Sequence, residues 1–165
     1  MGTDIHLYVE HYNKESKRWD SLSLYKKSSE DKFSPVDIYD GRDYELFGLL
    51  AGVRSMIDPF VFPRGVPDDM SCEVSKAYGD GQYYHAPTWY DYCELQAYNK
   101  RMSQFIPRDE EKEFDDDVEY DDEDDAISLC ERLNDFMNDI EKVLNAYDIY
   151  YPKPGDIRIV MWFDS

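Results

Sequence analysis

Polar and apolar side chains alternate along two extended segments, one near each end of the chain. In residues 3–12, one face carries Ile5, Leu7 and Val9, and the other carries Asp4, His6, Tyr8 and Glu10. In residues 157–164, one face carries Ile157, Ile159, Met161 and Phe163, and the other carries Arg158, Val160, Trp162 and Asp164. A period of two is typical of β-strands. Because neither segment has another obvious long partner, we expect these two strands to be neighbours in one sheet.

The clearest helical period lies in the last quarter of the chain. Leu129, Leu133, Phe136 and Ile140 recur at steps of three and four residues, which predicts a helix over residues 126–147. The other patterns predict a strand at 18–24 that forms a hairpin with the first strand, and a loop at 26–35. They also predict one helix that begins near Asp43 and two further helices, at 68–78 and at 89–102. An aromatic loop is predicted at 79–87.

The predicted order β-β-α-α-α-α-β is typical of an α+β domain. We expect a small, mainly antiparallel sheet that includes the N- and C-terminal strands, with about four helices packed on one face. A chain of 165 residues is long enough to bury one hydrophobic core. The sequence therefore predicts a single domain, 1–165, with an acidic loop or linker at about 107–125.

Composition limits the classes of function. Hydrophobic residues make up 42% of the chain and aromatic residues 16%, which indicates a folded protein. The net charge of −19 opposes direct binding to DNA, RNA or an anionic membrane, because these surfaces are negatively charged. No apolar run approaches the ~20 residues of a membrane-spanning helix, and no signal peptide is predicted. We expect a cytoplasmic protein whose Cys72, Cys93 and Cys130 are reduced and packed in helices.

The densest charge lies in the segment DEEKEFDDDVEYDDEDD, from Asp109 to Asp125. It holds thirteen acidic residues and one lysine, and so carries a formal charge of −12. Such a run repels itself unless a cationic partner neutralises it. It is either a solvated linker or a binding segment, and the apolar residues Phe114, Val118 and Tyr120 within it favour contact with a basic, partly apolar surface.

Two groups of polar residues are candidates for a ligand site. Asp4, His6 and Glu10 share one face of the first strand, and Asp164 can add an oxygen from the last strand. Imidazole and carboxylate are ordinary ligands of divalent metals. No complete metal-binding motif accompanies them, so a solvent-facing polar sheet surface is the favoured interpretation, and no metal or other cofactor is expected.

Arg42, Arg54 and Arg64 each lie close to Gly or Pro, where a rigid turn can present a guanidinium to phosphate or carboxylate. Pairing with the chain's own acids is the favoured alternative. His85, framed by Tyr83, Tyr84 and Trp89, is a candidate base beside aromatic rings on which a nucleobase can stack. A structural His within an aromatic loop is the favoured alternative. The sequence contains no P-loop, GxGxxG or GxSxG motif.

Several segments carry a resemblance to a known family: MGTDIH, YDGRDYELFGLLAGVR, PRGVPDDMS, the stretch from His85 to Trp89, and RIVMWFDS. Together they resemble a family of small uncharacterised proteins encoded by tailed bacteriophages and some bacterial genomes. The resemblance covers both ends and the first ninety residues, and it does not extend to the acidic segment. It implies a bacteriophage setting and supplies no catalytic residues. It also places the candidate residues Asp4, His6, Arg42, Arg54, Arg64 and His85 inside the similar segments.

Two hypotheses of function follow. The first is a non-enzymatic, anti-CRISPR-like inhibitor that binds the basic, nucleic-acid-binding surface of a bacterial defence protein in the host cell, partly as a DNA mimic. Its predicted contact residues are Asp115, Asp116, Asp117, Tyr120, Asp121 and Asp122. The alternative is a small enzyme or nucleotide-sequestering protein, in which the first-strand Asp/His face, the arginines and His85 converge on a phosphate-bearing ligand. A minor virion component is a third interpretation.

Overall fold

Six strands and four helices, in the order ββββααβααβ, make up the described part of the chain. The computed structural model describes residues 2–104 and 121–165. The elements are β1 (Asp4–Asn13), β2 (Arg18–Leu22), β3 (Leu24–Lys27), β4 (Phe33–Val36), α1 (Tyr44–Ala51), α2 (Cys72–Tyr78), β5 (His85–Asp91), α3 (Tyr92–Gln104), α4 (Asp121–Ala146) and β6 (Ile157–Asp164). The predicted α+β class is confirmed.

The main sheet is antiparallel and has the strand order β2-β1-β6-β5. Strand β1 pairs with β6 from its first residue, Asp4 opposite Asp164, to His11 opposite Ile157. The predicted pairing of the N- and C-terminal strands is therefore confirmed. The predicted β1–β2 hairpin is also present, with Val9 opposite Leu22. Strands β3 and β4 form a separate two-stranded sheet.

The larger part of the hydrophobic core lies on one face of the main sheet. Helix α4 contributes Leu133, Phe136 and Ile140 to this core, and α1 contributes Phe47 and Leu50. These positions follow the helical period read from the sequence, because a helix presents one face every three or four residues. Helix α1 begins after Asp43, whose carboxylate accepts the Leu46 backbone N–H as an N-cap.

The opposite face of the sheet is covered as well. Val160 and Trp162 of β6 are fully buried there, and they pack with Val74 of α2. The expectation that the helices pack on one face is therefore wrong for α2. The physical reason is the sequence of β6, which is apolar on both faces and needs cover on both, whereas strict alternation is typical of a strand with one solvated face.

Several local predictions are wrong. The predicted loop at 26–35 contains parts of β3 and β4, and β5 occupies the junction of the predicted loop at 79–87 and helix at 89–102. Strand β5 contains Pro87 and an irregular register between His85 and Thr88, which disrupt the alternation that would reveal a strand. Helix α4 begins at Asp121, inside the acidic segment, where acids favour the N-terminal end of a helix. Cys72 is exposed, so the expectation that it packs as a hydrophobic residue is also wrong.

Candidate functional site

Three of the predicted ligand-binding residues lie together where β1 begins and β6 ends. The Arg42 guanidinium donates from Nε to Asp4 Oδ1 and from Nη2 to Asp4 Oδ2, the latter at 2.9 Å. His6 Nε2 lies 2.9 Å from Asp164 Oδ2. The structure therefore gathers Asp4, His6, Arg42 and Asp164 into one surface group, which we call the terminal-strand cluster.

The charges of the terminal-strand cluster are paired internally. The hydrogen bond from Arg42 lowers the pKa of Asp4 below its ordinary value, and the same contact raises the pKa of Arg42. Asp164 contacts the His6 imidazole at one point, and this contact is an ion pair only when the imidazole is protonated. Across residues 2–104 and 121–165, no group of three His, Cys, Asp or Glu side chains is arranged to hold a metal ion. The suggested divalent metal on this strand face therefore gains no support from the geometry.

Glu10, the last polar residue of the predicted strand face, is fully buried and does not face solvent. Its carboxylate accepts a hydrogen bond from Arg158 Nε at 2.8 Å and one from the Ser71 backbone N–H at 2.6 Å. Arg158 also donates to Asp69 Oδ1 at 2.7 Å and lies 4.0 Å from the centroid of the Trp19 ring. A buried carboxylate needs such partners, because burial without them is costly. The prediction of a solvent-facing polar surface is wrong at this position.

Arg64 lies beside β5 and forms a two-point ion pair with Glu94 of α3. Its Nη1 donates to Glu94 Oε2 at 2.9 Å and to the Trp89 carbonyl at 3.3 Å, and its Nη2 donates to Glu94 Oε1. The guanidinium also lies 5.0 Å from the centroid of the Trp89 ring. The hydrogen bond from Arg64 lowers the pKa of Glu94. Arg64 is thus bound by an acid of the same chain, as the favoured interpretation predicted.

A cleft of about 660 Å³ opens beside this ion pair. Its lining combines two indole rings, two guanidinium groups and two carboxylates, supplied by Trp19, Trp89, Arg64, Arg158, Asp91 and Glu94. Five different elements or loops bring these residues together, from β2 near the start of the chain to β6 at its end. We call it the tryptophan cleft.

His85 lies on the other face of the sheet from His6. It is paired with Phe163 in the β5–β6 ladder, and the centroids of the two rings are 6.2 Å apart. Phe163 belongs to the larger core, whereas Trp162, the cross-strand neighbour of His6, belongs to the core on the opposite face. Successive residues of a strand point to opposite faces, which explains the separation.

The predicted convergence of these candidates on one pocket is not what the described contacts show. Arg54 lies 5.7 Å from the centroid of the Tyr44 ring. The described contacts of His6, Arg64 and His85 have no residue in common. Of the six predicted ligand-binding residues, the structure brings Asp4, His6 and Arg42 together and leaves Arg64 and His85 elsewhere.

The side-chain patterns of the sequence do not predict the tryptophan cleft. Arg158 and Trp19 were assigned only to strands, and Asp91 only to the start of a helix. The distance along the chain explains the omission, because Trp19 and Arg158 are far apart in sequence and meet only through the pairing of β2, β1 and β6. Two local features point toward it. A Trp lies beside an Arg in the segment RWD, and Arg158 lies on an apolar strand, where a charged side chain needs a partner.

The predicted contact residues of the acidic segment, from Asp115 to Tyr120, lie outside the described residues, and the side chains of Asp121 and Asp122 are likewise not described. In the part of the chain that the structure describes, no helix has the length and apolar character needed to cross a membrane. No family model, curated protein or solved structure matches this chain. The resemblance to bacteriophage proteins stays a prediction.

The Arg64–Glu94 pair is expected to make the free energy of unfolding depend on pH in the acidic range. The pKa of Glu94 in the folded protein is lowered from 4.5, so the pair stabilises fully above about pH 4.5 and loses its effect as the pH falls through the lower, folded value. We expect the difference in free energy of unfolding between the wild type and Glu94→Gln to be constant near neutral pH and to shrink below pH 4.5. Urea denaturation at several pH values measures it. A difference that grows in acid would contradict the assignment.

Proposed function

We propose that this protein is a non-enzymatic inhibitor of the bacteriophage type, which binds the basic, nucleic-acid-binding surface of a bacterial defence protein and acts partly as a DNA mimic. The observation that supports it most directly is the pairing of the protein's own cations. Arg42, Arg64, Arg132 and Arg158 are each held by a carboxylate of the same chain. The chain has 37 acidic and 18 basic residues, so a large excess of acid is left for a partner.

Helix α4 is the element that extends this negative charge across the described surface. It begins inside the acidic segment at Asp121. Farther along it, Glu131 and Asp135 are exposed and lie one turn apart on the same side. The opposite side of the helix is buried in the core through Leu133 and Ile140. A rigid acidic helix next to a dense acidic segment offers a row of negative charges to a basic groove.

The alternative, a site for a phosphate-bearing ligand, has two of its three candidate arginines occupied by acids of the same chain. A phosphate needs guanidinium or ammonium donors that are not already occupied. Arg42 is bound by Asp4 at two points, and Arg64 is bound by Glu94 at two points. Binding a phosphate at either arginine would require breaking an ion pair and would bring an anion next to the released carboxylate. We therefore favour the interaction protein over the enzyme.

Affinity capture from a bacterial lysate tests the proposal. The immobilised full chain is expected to retain a protein that itself binds nucleic acid, and that protein should elute as NaCl is raised. Salt weakens the long-range attraction, since the screening length falls from ~8 Å at physiological ionic strength to ~3 Å at 1 M. The captured protein should lose its binding to DNA or RNA when the inhibitor is added. Retention of nucleic acid alone, or of a partner whose nucleic-acid binding is unchanged by the inhibitor, would contradict the proposal.

A further inference from the structure

The tryptophan cleft has features that the proposed function does not use. At about 660 Å³ it falls within the ~300–1,000 Å³ of typical small-molecule sites. Two of the three tryptophans of the chain, Trp19 and Trp89, line it, and both are only half-buried. The third, Trp162, is fully buried in the sheet. Half-buried indole rings in a concave site are surfaces on which a flat ring stacks.

The cleft is pre-organised, because hydrogen bonds and ring contacts within the protein hold its two guanidinium groups and two indole rings in place. Arg158 is fixed by Glu10 and lies over Trp19 at 4.0 Å from the ring centroid. Arg64 is fixed by Glu94 and lies over Trp89 at 5.0 Å. Guanidinium and indole planes both stack on aromatic rings. A ligand therefore meets rings and planar groups that do not need to be ordered on binding.

The charge of the cleft selects against an anion. Both guanidinium groups are already neutralised by Glu94, Glu10 and Asp69. The cleft is also lined by Asp91, which adds a further negative charge. A phosphate group would face carboxylates without a cation to receive it. An uncharged ring meets no such penalty, which distinguishes this site from the phosphate site considered above.

Asp91 supplies hydrogen-bond acceptors at the cleft. Its Oδ1 accepts the Cys93 backbone N–H at 2.8 Å, and its Oδ2 accepts the Gly155 backbone N–H at 2.6 Å. These two bonds orient the carboxylate and occupy one acceptor position on each oxygen. Each carboxylate oxygen can accept a second hydrogen bond. The ligand that suits these acceptors is a ring with several N–H or O–H donors, which a phenyl group lacks.

From these contacts we infer that the tryptophan cleft is a binding site for an uncharged, planar heteroaromatic molecule with N–H and O–H donors, of the nucleoside class. The ring stacks on Trp19, Trp89 and the guanidinium groups beside them, and its donors bind the Asp91 carboxylate. The lining residues of the cleft that the structure describes all lie outside the acidic segment, and the protein partner proposed above is not needed for this inference.

Indole N–H resonances in ¹H–¹⁵N correlation spectra test this inference with adenosine as the probe. The three tryptophans give three indole signals, which single Trp→Phe variants assign. Titration to ~5 mM adenosine, a range that detects millimolar dissociation constants, is expected to shift the signals of Trp19 and Trp89 along one saturating curve. The signal of Trp162 should not move. AMP, which adds only a phosphate, is expected to bind at least about threefold more weakly.

Replacement of the rings supplies a second readout. Trp89→Leu and Trp19→Leu are each expected to weaken adenosine binding roughly tenfold, in line with the loss of one stacking contact. Tyr25→Ala, which removes an exposed ring on the β3–β4 sheet, is the matched control and should bind as the wild type does. If either leucine variant fails to fold, the wild-type titration and the other variant still test whether adenosine binds in the tryptophan cleft. Absent shifts, equal movement of Trp162, unchanged binding in the leucine variants, or tighter binding of AMP would each overturn the inference.

Discussion

Replacing Arg158 by Met is expected to lower the free energy of unfolding by about 3–5 kcal/mol, the range typical of removing one partner of a buried ion pair. The Glu10 carboxylate would keep only the Ser71 backbone N–H as a partner in an environment without solvent. Urea denaturation of the wild type and the variant measures the change. The destabilisation comes from the uncompensated charge, since Met fills much of the volume of the arginine stem.

Two companion variants distinguish the effect of the unpaired Glu10 charge from the effect of losing the other contacts of Arg158. Asp69→Asn removes the other, 68% exposed partner of Arg158 and keeps an acceptor for Trp19 Nε1; it should cost about 1 kcal/mol or less. The double variant Glu10→Gln with Arg158→Met removes both buried charges and should recover most of the lost stability, because the Gln carbonyl still accepts the Ser71 N–H. Equal losses in Arg158→Met and Asp69→Asn would show that burial of the Glu10 charge is not the cause.

Neutralising part of the acidic segment is expected to slow association with the basic partner at least tenfold at low salt. The variant replaces Asp115, Asp116, Asp117, Asp121 and Asp122 by Asn. Electrostatic steering raises association rates by roughly 10–10³, and it depends on the charge near the contact surface. The partner's binding to nucleic acid should recover in parallel. Stopped-flow or surface plasmon resonance measurements at two salt concentrations give the association rate.

A variant with the same change in net charge serves as the control. It replaces five exposed acids of the described surface by their amides: Glu15, Glu30, Asp40, Glu73 and Asp80. If local charge in the segment matters, this control slows association much less than the segment variant. Equal rates for the two variants would show that only the net charge is recognised. An unchanged rate for the segment variant at low salt would mean that the segment is a linker.

The sequence predicts those parts of the candidate site whose residues are close in sequence or share one face of a strand. Asp4 and His6 lie two residues apart on β1, and the expectation that Asp164 joins them from the last strand agrees with the observed contact. The favoured pairing of Arg42 and Arg64 with acids follows from the large excess of carboxylates, although composition does not identify Asp4 and Glu94 as the acids. Which acid is used depends on where the loops that carry the arginines are placed.

Burial explains the predictions that were wrong. Glu10 follows the alternation of β1 and so was assigned to solvent, but α2 and Arg158 cover that face. Strand β5 does not alternate, and its formation depends on hydrogen bonds with β6, which lies far along the chain. A side-chain pattern indicates which face of a strand or helix is buried, but it does not identify the other parts of the protein that bury a polar face.

By itself, the sequence of this protein determines its α+β class, the pairing of its terminal strands and the core face of α4, because period-two and period-3.6 patterns each require one particular backbone and one buried face. Tertiary structure alone decides the Glu10–Arg158 pair, the second covered face of the sheet and the tryptophan cleft. Each of these joins residues that are far apart in the chain, and long-range contacts depend on how complete elements pack. Local patterns therefore describe the elements, and packing alone creates the sites between them.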